Sequence, residues 1–225
     1  SVDRLIARDN GKFFAEIKTI KKVFPSMNDM VVILDDRDFV WQEKDENLIN
    51  LFPYSFFADK DWNPIPAKYN SCDNDCILFI VQHFLNYIHG EFYDYYTRNN
   101  MRKSVKIIIN EKMHSIFNGM KFITSGLFKR DTEGKILESE NPEIRNLKFY
   151  IEKLGGELIE NSEDLSDIDC LLVQDVKKTK KYNYFFKQKK PILFFTYIHC
   201  CNIFFYNLDY DQFIMKENYT LPQLK

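Results

Sequence analysis

Residues 30 to 41 read Met-Val-Val-Ile-Leu-Asp-Asp-Arg-Asp-Phe-Val-Trp, an apolar run that stops at two adjacent carboxylates. Two neighbouring carboxylates are hard oxygen donors, the type that takes a divalent cation. The run from Met30 to Leu34, with β-branched Val31, Val32 and Ile33, predicts a strand buried on both faces of a parallel sheet. Asp35 and Asp36 then stand at its carboxyl end, where open α/β sheets bind their ligands. A solvated acidic turn is the competing reading, because aspartates are common in turns. The residues alone leave both open.

A second feature is basic. Lys177, Lys178, Lys180, Lys181, Lys187, Lys189 and Lys190 gather in a chain whose formal net charge is −2. That global charge draws no nucleic acid, so any polyanion binding must be local. A solvated helix face explains such a run equally well. The five cysteines are an odd number without a regular framework, which predicts reduced thiols in an intracellular compartment. Cys72 and Cys76 have no second Cys/His pair at ligand spacing, so no structural zinc is expected. Asp73-Asn74-Asp75 follows Asn70-Ser71-Cys72 rather than an apolar strand and predicts a helix start.

The elements that must position these groups follow from periodicity. With 45% hydrophobic residues, 21 Phe and 13 Tyr, the chain has ample material for a core. It has neither a signal peptide nor an apolar stretch of the ~18 residues a membrane span needs, so no membrane is expected. Asp59 to Ser71 holds two prolines among turn formers and reads as a connection. Ile77, Val81, Phe84, Leu85, Ile88 and Phe92 then recur at helical spacing. Met120 to Gly126 alternates apolar and polar residues and ends at glycine, a strand leading into a loop. Asn141-Pro142 predicts a helix start, Ile144, Leu147, Ile151 and Leu154 share one face, and Gly155-Gly156 close it. Short apolar runs at 157–159, 168–173 and 192–195 supply further strands, with the lysine-rich helix between the last two.

Several residues together resemble the FCP class of the haloacid dehalogenase (HAD) phosphatases, which act on the C-terminal repeat domain (CTD) of RNA polymerase II. They are Arg8-Asp9, the stretch Lys18 to Pro25, Met30 to Arg37, Val40-Trp41, Asn47 to Ile49 and Pro53 to Phe57. Asp38-Phe39 after the arginine departs from the pattern. The resemblance implies that Lys18, Asp35 and Asp36 are catalytic, with Lys18 neutralising the nucleophile and the transferring phosphoryl group. Asp35 and Asp36 would bind Mg²⁺, with no assignment of which one touches it. Read without the family, Lys18 is an exposed helix lysine, Arg37 orients the pair or binds a structural carboxylate, and Trp41 is a core anchor. No Asp-x-Asp-x-Thr/Val motif, the family's source of the aspartyl nucleophile, precedes Lys18. The chain therefore reads as a fragment, or as one product of a cleaved or interrupted chain, that lacks the nucleophile and is expected to be inactive alone.

The second half resembles a BRCT domain. The matching residues are Phe117-x-Gly119, Ser125-Gly126, Lys153 to Gly156, Thr179-x-Lys181 and Pro191 to Leu193. The family's tryptophan is replaced by Tyr197, which predicts modestly weaker packing. The resemblance implies a phosphopeptide site at Ser125, Gly126 and Lys181. The expected fold is α/β: the end of a HAD-like parallel-sheet domain over 1–63, a connection and helical linker over 64–116, a BRCT domain over 117–215, and a tail over 216–225. The BRCT unit would be a small parallel sheet with helices on both sides. The implied activity is that of a Mg²⁺-dependent protein serine/threonine phosphatase. The implied partners are the phosphorylated polymerase CTD and the general transcription factor TFIIF, in the nucleus, with no direct nucleic acid. The alternative is a non-catalytic phosphopeptide-binding or scaffold protein with a degenerate HAD half.

Overall fold

The computed structural model describes residues 18, 20, 24, 26, 28–37, 40, 41, 47–51, 77–128, 142–175 and 178–214. Arg8-Asp9, the connection from Asp59 to Ser71, Cys72 to Cys76, Asn141 and the tail lie outside them. The first strand pair is β1 (Ile33–Asp35) and β2 (Leu48–Asn50), parallel, with Ile33 opposite Leu48 and Asp35 opposite Asn50. The strand is shorter than the apolar run predicts. Asn28 to Met30 form a 3-10 turn instead, and Leu34 is 43% exposed, so the run is not buried on both faces. Buried Asn47 explains the late start: its side-chain amide donates to the Val31 carbonyl at 2.7 Å, while Ile33 N–H reaches Asn47 O at 2.9 Å.

Two helices follow, α1 (Ile77–Asn99) and α2 (Val105–His114). In α1, Val81, Phe84, Ile88 and Phe92 are buried as the stripe predicts. Helix α2 is not among the expected elements, although Val105, Ile108, Ile109 and Met113 carry the spacing of a buried face.

Four parallel strands build the second sheet in the order β4-β3-β5-β6: β3 (Lys121–Ser125), β4 (Glu157–Ile159), β5 (Cys170–Val173) and β6 (Ile192–Phe194). Side chains alternate along a strand, and that alternation separates two cores. Phe122, Cys170, Leu172 and Leu193 face α4 (Leu147–Lys153) and α6 (Thr196–Phe204). Ile123, Leu171, Val173 and Ile192 face α5 (Lys180–Lys187) through Tyr182 and Phe185. Covering both faces is what an all-parallel sheet requires. The helix from Pro142 is broken after Arg145, leaving α3 (Pro142–Arg145) as a single turn before α4.

Tyr197, expected to stand in for the tryptophan of the BRCT pattern, sits in the larger core. Its ring is fully buried against Phe117, Tyr210 and Phe213, and its hydroxyl donates to Asn207. The smaller ring thus keeps a satisfied polar tip. Helices α1 and α2 share the same apolar cluster as α4, α6 and Ile49 of β2. The strand pair, α1 and α2, and the four-stranded sheet with its helices thus meet in one apolar cluster. No helix among the described residues is long and apolar enough to cross a membrane.

The tightest junction is at Gly155, whose φ is +89°. A Cβ there would sit 1.8 Å from the His114 carbonyl oxygen. Gly155→Ala should therefore cost roughly 2 kcal/mol or more, from strain and the forced withdrawal of α2. Gly90 lies within α1 with open space where a Cβ would go, so Gly90→Ala should stabilise by about 0.5–1 kcal/mol. Urea unfolding of both variants checks the pair of opposite signs.

Candidate functional site

Lys18 is placed by backbone pairing rather than by a helix. It forms a parallel bridge with Trp41, and its N–H donates to Val40 O at 2.6 Å. That pairing brings the side chain to the end of β1. Lys18 Nζ donates to Asp35 Oδ2 at 2.5 Å, Trp41 Nε1 donates to the same oxygen at 3.1 Å, and the Arg37 N–H donates to Asp35 Oδ1 at 3.0 Å. The lysine also lies 5.4 Å from the Trp41 ring centroid, within cation–π range. Trp41 is thus a polar partner of the carboxylate, not simply a core anchor. The indole N–H, six residues from the acid, is the signal that its aromatic bulk conceals.

Burial alone would push the Asp35 carboxyl up, but the hydrogen bonds from Lys18, Arg37 and Trp41 outweigh it and hold the group below its ordinary value of 3.8. Asp36 is placed differently. Its side chain is 51% exposed, with Arg37 Nε at 3.8 Å. Arg37 therefore contacts both acids, one through its backbone and one through its side chain, and orients the pair. Among the described residues no group of three or more His, Cys, Asp or Glu side chains is arranged to hold a metal. Two adjacent carboxylates, one of them exposed, suit Mg²⁺, which takes one or two and fills its shell with water and substrate oxygens.

The second site lies at the carboxyl ends of β3 and β5. Thr124, Ser125, Gly126, Phe128, Asn161, Thr179, Lys180 and Lys181 line a groove of about 260 Å³. Gly126 has φ +75°, a conformation that favours glycine where the chain turns out of the strand. Ser125 Oγ and Thr179 Oγ1 lie 2.8 Å apart, and Lys181 Nζ donates to Thr124 O at 3.1 Å. All three expected residues meet in one groove. Thr179, part of the matching Thr179-x-Lys181 motif but not among the expected phosphate ligands, also lines the groove; it caps α5, accepting from the Tyr182 N–H at 3.2 Å. Its position two residues before Lys181 in a helix-start pattern is the available signal.

The basic run divides into two kinds of lysine. Lys190 does not belong to a solvated patch. Its ammonium donates to Ile168 O at 2.8 Å and to Ser166 O, closing the loop before β5. Cys170, Cys200 and Cys201 are buried and joined in no disulfide. Burial pushes the Cys170 thiol up and that of Cys201 to about 12, so neither is a thiolate at neutral pH.

This chain, with a parallel strand pair ending in a lysine-bonded carboxylate, joined by helices to a four-stranded parallel sheet, is similar in sequence and fold to the FCP-class RNA polymerase II C-terminal domain phosphatases. The chain's similarity to that class extends to named relatives. It is 33% identical to an RNA polymerase II C-terminal domain phosphatase of Caenorhabditis elegans over 142 residues, covering 55% of this chain and 21% of the relative. It is 42% identical over 56 residues to the phosphatase of the same name in Schizosaccharomyces pombe, covering 25% and 8%. No family model matches the chain. Its fold matches the solved structure of the fission yeast CTD phosphatase Fcp1 bound to beryllium fluoride, with a TM-score of 0.62 at 17% identity. That match covers 95% of this chain and 68% of the other. The chain thus spans about a fifth of the worm relative's length.

The low carboxyl value of Asp35 has a signed consequence. Its folded value lies below the unfolded one, so the unfolded state binds more protons between them. The stabilisation is complete above the unfolded value and is lost as pH falls through the folded one. Carbon-detected NMR titration should place the Asp35 midpoint below 3.8. Lys18→Met should move it upward, because it removes the strongest of the hydrogen bonds opposing burial. An unmoved midpoint would show that Lys18 does not hold the carboxylate.

Proposed function

We propose that this chain is part of a nuclear, Mg²⁺-dependent protein serine/threonine phosphatase acting on the phosphorylated CTD of RNA polymerase II. The observation that carries this reading is the Lys18–Asp35–Trp41 cluster with exposed Asp36 beside it, in a fold matching that of a CTD phosphatase. Asp35 is committed to three protein donors, so its role is to aim Lys18. Asp36 is the carboxylate open to a cation. Bound Mg²⁺ would supply charge to the transferring phosphoryl group. Lys18, 43% exposed at its side chain, presents a second positive charge on the same side of the site. Phosphoryl transfer depends mainly on such positioning and charge. The attacking aspartate comes from outside this chain, and TFIIF is the further partner the resemblance implies.

The groove at Ser125, Gly126 and Lys181 serves a phosphoserine of the polymerase tail. A hydroxyl, a turn N–H and an ammonium converging at one cavity are donors for a phosphate. The competing reading, a phosphopeptide-binding scaffold without catalysis, keeps this groove and discards the Lys18 site.

Two measurements separate the readings. Incubated with Mg²⁺ and a phosphorylated CTD peptide, the chain alone should release no phosphate. When a polypeptide carrying the Asp-x-Asp-x-Thr/Val motif restores turnover, Asp36→Asn should cut the rate by orders of magnitude and raise the Mg²⁺ requirement. Asp35→Asn should cut the rate with a smaller effect on that requirement. No restored turnover with any such polypeptide would favour the scaffold.

For the groove, a charged hydrogen bond contributes about 1.5–3 kcal/mol. Lys181→Ala should therefore weaken phosphopeptide binding roughly tenfold to a hundredfold. Calorimetry against phosphorylated and unphosphorylated forms of one peptide reads this directly, and equal affinities would remove the phosphate from the reading.

A further inference from the structure

The run from Lys177 to Lys190 contains no carboxylate. Among the described residues, Lys180, Lys187 and Lys189 make no ion pair, and all three are exposed. Positive charge left unneutralised in a chain of net charge −2 is local and one-sided, which suits an anionic partner. Its position is also specific. Lys180 lines the groove that holds Ser125 and Lys181. Lys187 follows seven residues later on the same helix, about 20° round the axis and roughly 10 Å further along it. Two of the four aromatic rings on α5, Tyr182 and Phe185, are buried under the sheet.

We propose that the α5 face extends the groove into a two-phosphate reader. The ligand is an extended peptide carrying one phosphate in the groove and a second that meets Lys187. Extended chain advances about 3.3 Å per residue, so the second phosphate stands about three residues from the first. This rests on the reading of the groove as a phosphoserine site. A peptide is favoured over single-stranded nucleic acid because the latter needs open aromatic platforms between its cations. Phe186 is the one ring exposed on α5, and one of its faces is stacked on Tyr182 at 6.1 Å.

The test uses the whole chain and one serine-containing peptide in four forms, read by fluorescence anisotropy: unphosphorylated, singly phosphorylated, and doubly phosphorylated at spacings of about three or about seven residues. The close-spaced form should bind roughly fivefold to tenfold tighter than the singly phosphorylated one, as expected for an added surface ion pair of about 1 kcal/mol. Lys187→Ala should abolish that gain while leaving singly phosphorylated binding unchanged, and Lys106→Ala, on α2, should do neither. Equal gains at both spacings, or a gain that survives Lys187→Ala, would overturn the two-phosphate reader while the groove stands. Equal binding of the singly phosphorylated and unphosphorylated forms would remove the groove reading, and the proposal with it. A labelled oligouridine that binds more tightly than any of the peptides and is released by Lys187→Ala would replace the peptide with nucleic acid.

Discussion

A parallel sheet cannot leave either face in water, and most of this structure follows from meeting that requirement with little chain. Strands β3 and β5 sit in the middle of the four, and their alternating side chains feed two separate cores. One core needs only α5. The other needs α4 and α6, and it is large enough to take in α1, α2 and residues of the first strand pair as well. The fully buried Phe117, Phe122 and Tyr197 lie at its centre. Each additional helix is thus held by apolar area removed from water rather than by specific polar contacts.

The two sites are built on a common plan. In each, a lysine is aimed by an oxygen at the carboxyl end of a parallel strand: Asp35 for Lys18, and the Thr124 carbonyl for Lys181. The difference is electrostatic. A carboxylate neutralises part of the charge it orients, whereas a carbonyl leaves the ammonium's full charge in place. Lys18 is therefore fixed as one member of a charged pair in which Asp35 supplies the negative component. Among the described residues the groove around Lys181 has no carboxylate in its lining and is suited to an anion.

Much of this is legible in the order of residues, for identifiable reasons. The stripe Val81, Phe84, Ile88 and Phe92 predicts α1 because a single buried face leaves its period in the sequence. Gly155 and Gly126 mark chain turns because their φ angles favour glycine. Ser125, Gly126 and Lys181 stand out because the BRCT pattern places them, and the fold brings them to one groove. The apolar run starts its strand too early, at Met30, since hydrophobicity does not report a side-chain amide such as Asn47 capturing the Val31 carbonyl. Trp41 and Lys190 depart from expectation in opposite directions. Residue type suggests an aromatic in the core and a lysine in solvent, while their partners, Asp35 and the 166–168 loop carbonyls, leave no local mark in the pattern. Helix α2 carries a readable spacing in Val105, Ile108, Ile109 and Met113, but its ten residues are short enough to pass for a connection.

The contact between the His114 carbonyl and Gly155 fixes where α2 ends relative to the BRCT sheet. Because α2, α1 and Ile49 share one packed interior, the strand carrying Asp35 and the groove carrying Lys181 are held in a fixed relation. Flexible tethers spread a second site over a volume and dilute it as they lengthen. A packed connection of this kind instead acts as a ruler. A chain engaged at one end would have its other anionic positions presented at set distances, so periodicity in a ligand's sequence would count for more than its total charge.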